Sequence, residues 1–175
     1  MKVLILGSAR HGKDTIAEML YSEFGLTFTS PKQTEVRFFI FERLKDLYGY
    51  KSVSECYEDR QHHRNEWHEL IQEYIKDDKT RIASDLLKTV DIYIGMRDES
   101  ELIPCLEANL FDIVIGIINT TLPIEPISSM NIDVKKYSNI LILNDSDLIE
   151  LRRKVKKAYR LASVMKDPIK LKCSL

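Results

Sequence analysis

Gly7-Ser8-Ala9-Arg10-His11-Gly12-Lys13-Asp14-Thr15 stands between an apolar run, Lys2 to Leu6, and a segment whose apolar residues Ile16, Met19, Leu20 and Phe24 recur at helical spacing. The preceding run is short, rich in leucine and β-branched residues, and ends on a glycine, which is the pattern of a central strand in a parallel sheet. Strand, G-x-x-x-x-G-K spacing and helix in register are the context in which a glycine-rich turn becomes a phosphate cradle. Gly7 and Gly12 permit a tight turn that aims successive amides inward, and the start of the helix adds partial positive charge there. Lys13 supplies a point charge for β- and γ-phosphates. Gly7, Ser8, Ala9, Arg10, His11, Gly12, Lys13, Asp14 and Thr15 are therefore the candidate donor-binding residues. One position departs from the motif. A Ser or Thr normally follows the lysine to meet Mg2+, whereas here Asp14 stands there and the hydroxyl comes one residue later, at Thr15. Either residue is a candidate metal ligand, Asp14 through water; alternatively Asp14 only caps the helix.

Outward from this loop, strand-like and helical stretches alternate. Leu26 to Thr29 reads as a second short strand, and Asp91 to Gly95, Asp112 to Ile118 and Asn139 to Leu143 as three more. Helical spacing covers Gln33 to Tyr48, Tyr57 to Ile75, Lys79 to Lys88, Glu99 to Ala108 and Asp147 to Leu161. This predicts an α/β domain spanning residues 1–175, with a parallel sheet of about five strands and helices on both faces. Within it lie a helical region, about 30–88, to hold an acceptor, and a lid-like loop, about 119–134, containing prolines.

Composition narrows the partners. With 26 Lys and Arg against 27 Asp and Glu, no global positive field holds a polyanion. The three cysteines, Cys56, Cys105 and Cys173, are far apart and odd in number, which argues against a disulfide framework or structural zinc. No apolar run reaches membrane-spanning length, so no membrane partner is expected and a reducing cytoplasm fits.

At Gly12-Lys13-Asp14-Thr15 the chain resembles the bacteriophage deoxynucleoside monophosphate kinases, members of the thymidylate-kinase-like group of P-loop kinases. Three further segments agree in order. Tyr93-Ile94-Gly95-Met96-Arg97 followed by Glu101 is similar to the strand-end arginine and acidic residue of that family. Arg60 and Arg64 fall on the middle helix, where the family gathers monophosphate-binding side chains. Leu143-Asn144-Asp145 resembles the loop beside the donor base. The resemblance implies a P-loop kinase fold, ATP as phosphoryl donor with Mg2+, a deoxynucleoside monophosphate as acceptor, Asn144 near the donor base, and the host cytoplasm as location. A related reading stays open, because the loop Thr120 to Met130 has no Arg or Lys where monophosphate kinases bring lid arginines. A compact relative, the phage kinase of 5-hydroxymethyluracil in DNA, uses the same donor chemistry on a hydroxyl.

Catalysis in such a site is mostly positioning and charge neutralisation, for which Lys13, Arg97, Arg10 and Asp14 are the candidates. Ser30, Arg60, Arg64, Trp67 and Arg97 are the candidate acceptor contacts. On one continuous helix Arg60, Arg64 and either His63 or Trp67 would share a face; the plain alternative is a solvated helix with internal ion pairs and Trp67 in the core. Arg97 alternatively pairs with Asp98 or Glu101. His62, His63 and His68 lack the i, i+4 spacing of a zinc pair. The terminal cluster Arg152, Arg153, Lys154, Lys156, Lys157 and Arg160 reads as a solvated face or a DNA contact. A reading of another class, a nucleotide-binding NTPase switch without acceptor, lacks a strand-end aspartate, since Asp91 and Asp112 begin their strands.

Overall fold

A computed structural model describes residues 1–29 and 39–164 and the backbone of 173–174. The sheet is all parallel, in the order β2-β1-β3-β4-β5. β1 is Val3–Leu6, β2 Ile92–Ile94, β3 Ile113–Ile118 and β4 Ile140–Leu143, with a two-residue β5, Cys173–Ser174, at the edge. Four strands thus carry the sheet, and the expected five are reached only through that edge pair. The predicted strand at Leu26 to Thr29 is reduced to one parallel bridge, Phe28 to Ile92. Asp91 ties it in, accepting from the amide and hydroxyl of Thr27 at 3.0 and 2.9 Å.

Strand alternation sends β1 into two cores. Val3 and Ile5 face α1 (Lys13–Phe24) through Ile16, Met19 and Leu20. On the same side lies the final helix, which contributes Leu151, Val155 and Ala158. Leu4 and Leu6 face the opposite layer, built by Ile82, Leu86, Leu102 and Cys105. All four β1 residues are fully buried, and each such burial stabilises the fold by about 1.5–3 kcal/mol. Helices therefore cover both faces, as the alternating pattern requires.

Between α1 and β2 the chain forms α2 (Phe41–Tyr48), α3 (Val53–Asp59), α4 (Arg64–Tyr74) and α5 (Arg81–Leu87). The single helix expected over Tyr57 to Ile75 is broken at residues 60–63. Asp59 is the cause: it accepts from the Tyr50 hydroxyl and bonds the His62 ring, both at 2.6 Å, and pairs with His63 at 3.1 Å. The chain turns there, with the His63 amide donating to the Arg60 carbonyl. Arg60 and Arg64 consequently do not stand one helical turn apart on a common face. After β2 come α6 (Glu99–Glu107), β3, α7 (Val134–Tyr137), β4 and α8 (Leu148–Val164). Of the six basic residues on α8, Arg152 and Lys156 pair with Glu23, Arg153 with Glu150 and Lys154 with Asp145. No described helix is long and apolar enough to cross a membrane.

Strand order marks where an open parallel sheet offers a ligand crevice. From β1 the chain leads to β2 on one side, whereas β3 on its other side leads on to β4. The crevice at the carboxyl ends of β1 and β3, where the connections diverge, is the place at which open parallel sheets bind ligands. Residues 7–12 leave β1 at that point.

Candidate active site

The loop after β1 owes its shape to two glycines with different duties. At Gly7 the limit is space, because a Cβ there would lie 2.7 Å from the Ile117 carbonyl oxygen on β3. At Gly12 the limit is also conformational, since φ is +106° and a Cβ would meet the Asn144 amide nitrogen at 2.8 Å. Arg10 takes a left-handed φ of 65° at the tip. No side chain caps α1, and the amides of Gly12, Lys13 and Asp14 donate to no described residue. A helix start with its amides left open is an anion-binding device.

Lys13 is folded back over the loop and donates to the carbonyls of Gly7 and Ser8 at 2.7 and 2.8 Å. Burial is the main force holding its pKa below the ordinary lysine value, with the charge of Arg97 acting in the same direction and Asp14 and Glu125 opposing. Asn144 donates from its side-chain amide to the His11 carbonyl at 3.0 Å, and so braces the loop from below. Buried His11 ties the loop to the long connection after β3. The Asn119 amide donates to its Nδ1 at 3.2 Å, which leaves the proton on Nε2 for the Pro123 carbonyl, also 3.2 Å away.

That connection lies across the cradle and brings a carboxylate to it. Glu125 accepts from the Ala9 amide at 2.6 Å and from Arg97 at 2.6 Å, while its own amide donates to the Ser8 hydroxyl at 3.2 Å. Burial alone would raise the Glu125 pKa. The Arg97 and Ala9 hydrogen bonds, with the charges of Arg97 and Lys13, outweigh it and hold the carboxyl below its ordinary range. Arg97 thus pairs with Glu125 rather than with Asp98 or Glu101.

Beside the cradle opens a cleft of about 670 Å³. It is lined by Ala9, Arg10, Lys13 and Asp14 from the loop and the start of α1, by Tyr57, His68 and Gln72 from the helical region, and by Arg97 and Glu101. Lys79 also lines it. Glu101 accepts no hydrogen bond from any described residue, although it stands three residues beyond Asp98, which caps α6 through the Ser100 amide at 2.8 Å. Burial, reinforced by the charge of Asp98 and opposed by Lys79, pushes its pKa up to about 7.

The structure therefore brings together Arg10, Lys13, Asp14 and Arg97 around one cavity. Arg60, Arg64 and Trp67 are not among the residues lining it. Arg60 packs on the Tyr57 ring at 3.8 Å and donates to its carbonyl, Arg64 is exposed, and Trp67 is buried with Leu44 and Cys56. Thr15 is half-buried and lines none of the cleft, and Ser30 lies outside the described residues. Glu125, Gln72 and Lys79 escaped the sequence reading, which weighed His68 only as a zinc ligand. For Glu125 one signal existed: it is the single charged residue between Asn119 and Asn131. No family model matches the chain, and no curated protein matches it.

Proposed function

We propose that the chain is a P-loop phosphotransferase that moves the γ-phosphoryl group of a nucleoside triphosphate, ATP by resemblance, onto a nucleotide-type acceptor held in the cleft. The observation that carries this reading is that the uncapped, glycine-shaped loop bearing Lys13 opens onto a cleft of about 670 Å³ that reaches beyond the loop to Tyr57, His68, Gln72 and Lys79. Phosphoryl transfer needs donor and acceptor in line across the terminal phosphate, and the part of the cleft beyond the loop offers room for the acceptor. In this arrangement the loop amides and Lys13 hold the donor phosphates. Arg10 and Arg97, on the cleft side, offset charge on the group in transit.

Mg2+ arriving with the triphosphate would offset charge on the β- and γ-oxygens. Consecutive helical residues diverge by about 100° around the axis, so Asp14 and Thr15 do not present both oxygens in one direction. Asp14 faces the cleft and Thr15 does not. An ion that bridges donor phosphates needs only one or two protein oxygens, and Asp14 fits that need best.

The resemblance implies a deoxynucleoside monophosphate as the acceptor, and the cleft offers it room beside the loop. A second reading, a hydroxyl acceptor such as 5-hydroxymethyluracil in DNA, is favoured by Glu101. An acceptor phosphate arrives already ionised and needs no base, whereas a hydroxyl must lose a proton as it attacks. In that step the hydroxyl proton passes to Glu101 and the oxygen bonds the γ-phosphorus. The bond to the β,γ-bridging oxygen breaks, with its electron pair leaving on the nucleoside diphosphate. Incubation with γ-labelled ATP and, in parallel, deoxynucleoside monophosphates or hydroxymethyluracil-containing DNA tests both. Label in a nucleoside diphosphate supports the first reading and label in DNA the second; inorganic phosphate alone, at a rate indifferent to either addition, would mean an NTPase switch.

A further inference from the structure

Glu125 is an anion seated on the donors that a phosphate would use. Its two oxygens take a cradle amide, Ala9, and the guanidinium of Arg97, each at 2.6 Å, with the Lys13 charge nearby. Carboxylate and phosphoryl oxygens are both short-range acceptors for amide and guanidinium N–H groups, so the two chemistries compete for one set of donors. The competitor is tethered. It lies on residues 119–131, which are anchored by Pro123 to His11, by Asn119 to His11, by the Glu125 amide to Ser8 and by the Asn131 amide to the Arg97 carbonyl at 3.1 Å. A tethered ligand meets its site at high effective concentration.

We infer that the Glu125 carboxylate occupies the seat of the donor's terminal phosphate, and that a triphosphate must expel it and inherit Arg97. Two features of the connection fit a segment that moves as a unit. Its far end is rooted in the core by Met130 and Ile132, while Ile124 and Ile127, flanking the carboxylate, are exposed. Expulsion frees Arg97 at the moment the phosphate arrives, so the arginine is withheld until donor is bound. The inference rests on the reading of residues 7–15 as a phosphate cradle and names the group that guards it.

Inorganic triphosphate without metal is the probe, since it presents the phosphates alone. Its dissociation constant is measured by calorimetry for the full chain, for Glu125→Gln and Glu125→Ala, and for Lys13→Ala in each background. Removing the internal anion should tighten binding about tenfold or more, the worth of one charge-assisted hydrogen bond no longer surrendered. Amide hydrogen exchange over residues 119–131 should accelerate in the unmodified chain when triphosphate is added. If Glu125 is merely a brace for the loop, both substitutions weaken binding and triphosphate slows exchange, which overturns the inference while Lys13-dependent binding survives. If no chain binds triphosphate in a Lys13-dependent way, the cradle itself is misread and the inference falls with it.

Discussion

Replacing Gly12 by alanine separates steric demand from conformational strain at the cradle, because Gly49 provides a matched control. Both glycines have positive φ, +106° and +73°, but a Cβ at Gly49 meets nothing within 4 Å. At either site alanine must adopt a left-handed backbone, at a cost of about 1–2 kcal/mol. At Gly12 the new methyl also falls 2.8 Å from the Asn144 amide nitrogen, which must withdraw from the His11 carbonyl. The hydrogen bond lost there is worth a further 0.5–1.5 kcal/mol, roughly. Gly12→Ala should therefore destabilise by about 1.5–3.5 kcal/mol and Gly49→Ala by about 1–2 kcal/mol. For a chain of this size each kcal/mol moves Tm by about 2–4 °C, so thermal unfolding resolves the pair. Triphosphate binding adds a second readout: Gly12→Ala should lose it through the displaced loop, and Gly49→Ala should keep it. Equal Tm losses with binding intact in both would refute the claim that Asn144 and Gly12 together shape the cradle.

Other consequences follow from the cleft. With a hydroxyl acceptor, kcat should rise with pH through about 7 as Glu101 loses its proton, and Glu101→Gln should flatten that rise and lower kcat by about 10²–10⁴-fold. The same group makes a stability prediction whose sign is opposite to that of an ion-paired carboxylate. Its folded pKa lies above the ordinary 4.5, so between pH 4.5 and about 7 the native state holds the extra proton and wild-type stability falls as pH rises. Glu101→Gln should then be the more stable protein at pH 8, by on the order of 1–3 kcal/mol, with little difference at pH 4 in denaturant titrations. His68→Ala, on the cleft wall, should raise the acceptor KM several-fold, whereas Arg64→Ala, exposed and outside the cleft, should leave it near the wild-type value; steady-state kinetics at saturating ATP distinguishes them.

What the sequence revealed and what it hid divide along the range of the interactions. The loop after β1 was legible because glycine spacing, strand and helix are all local, and Gly7 and Gly12 occupy positions that only glycine fills. The alternation of buried runs likewise exposed the parallel sheet and its covered faces. The break between α3 and α4 was not legible. Helical spacing continues through residues 60–63, but Asp59 is captured by Tyr50, nine residues earlier, and by His62 and His63, which the spacing presented only as unsuited zinc ligands. Glu125 was hidden for the same reason, since its partners Ala9 and Arg97 lie 116 and 28 residues away. The loop supplies no arginine of its own and instead holds Arg97 through an acid. Glu101 was visible as a family-like acidic residue, but its unpaired burial depends on the residues that distant elements bring to the cleft, Tyr57 and Lys79 among them, which spacing does not encode.

The most direct test of the account is transfer of label from γ-labelled ATP, with Mg2+, in parallel reactions of the unmodified chain and Lys13→Ala across the acceptor panel. The account predicts that label moves to one acceptor class, deoxynucleoside monophosphate or hydroxyl-bearing DNA. Lys13→Ala should lower that rate by about 100-fold or more while the chain stays folded with at most a few degrees' loss of Tm, because the two hydrogen bonds removed are to carbonyls of the loop alone. Transfer that survives Lys13→Ala, or label that appears only as inorganic phosphate whatever is added, would contradict it.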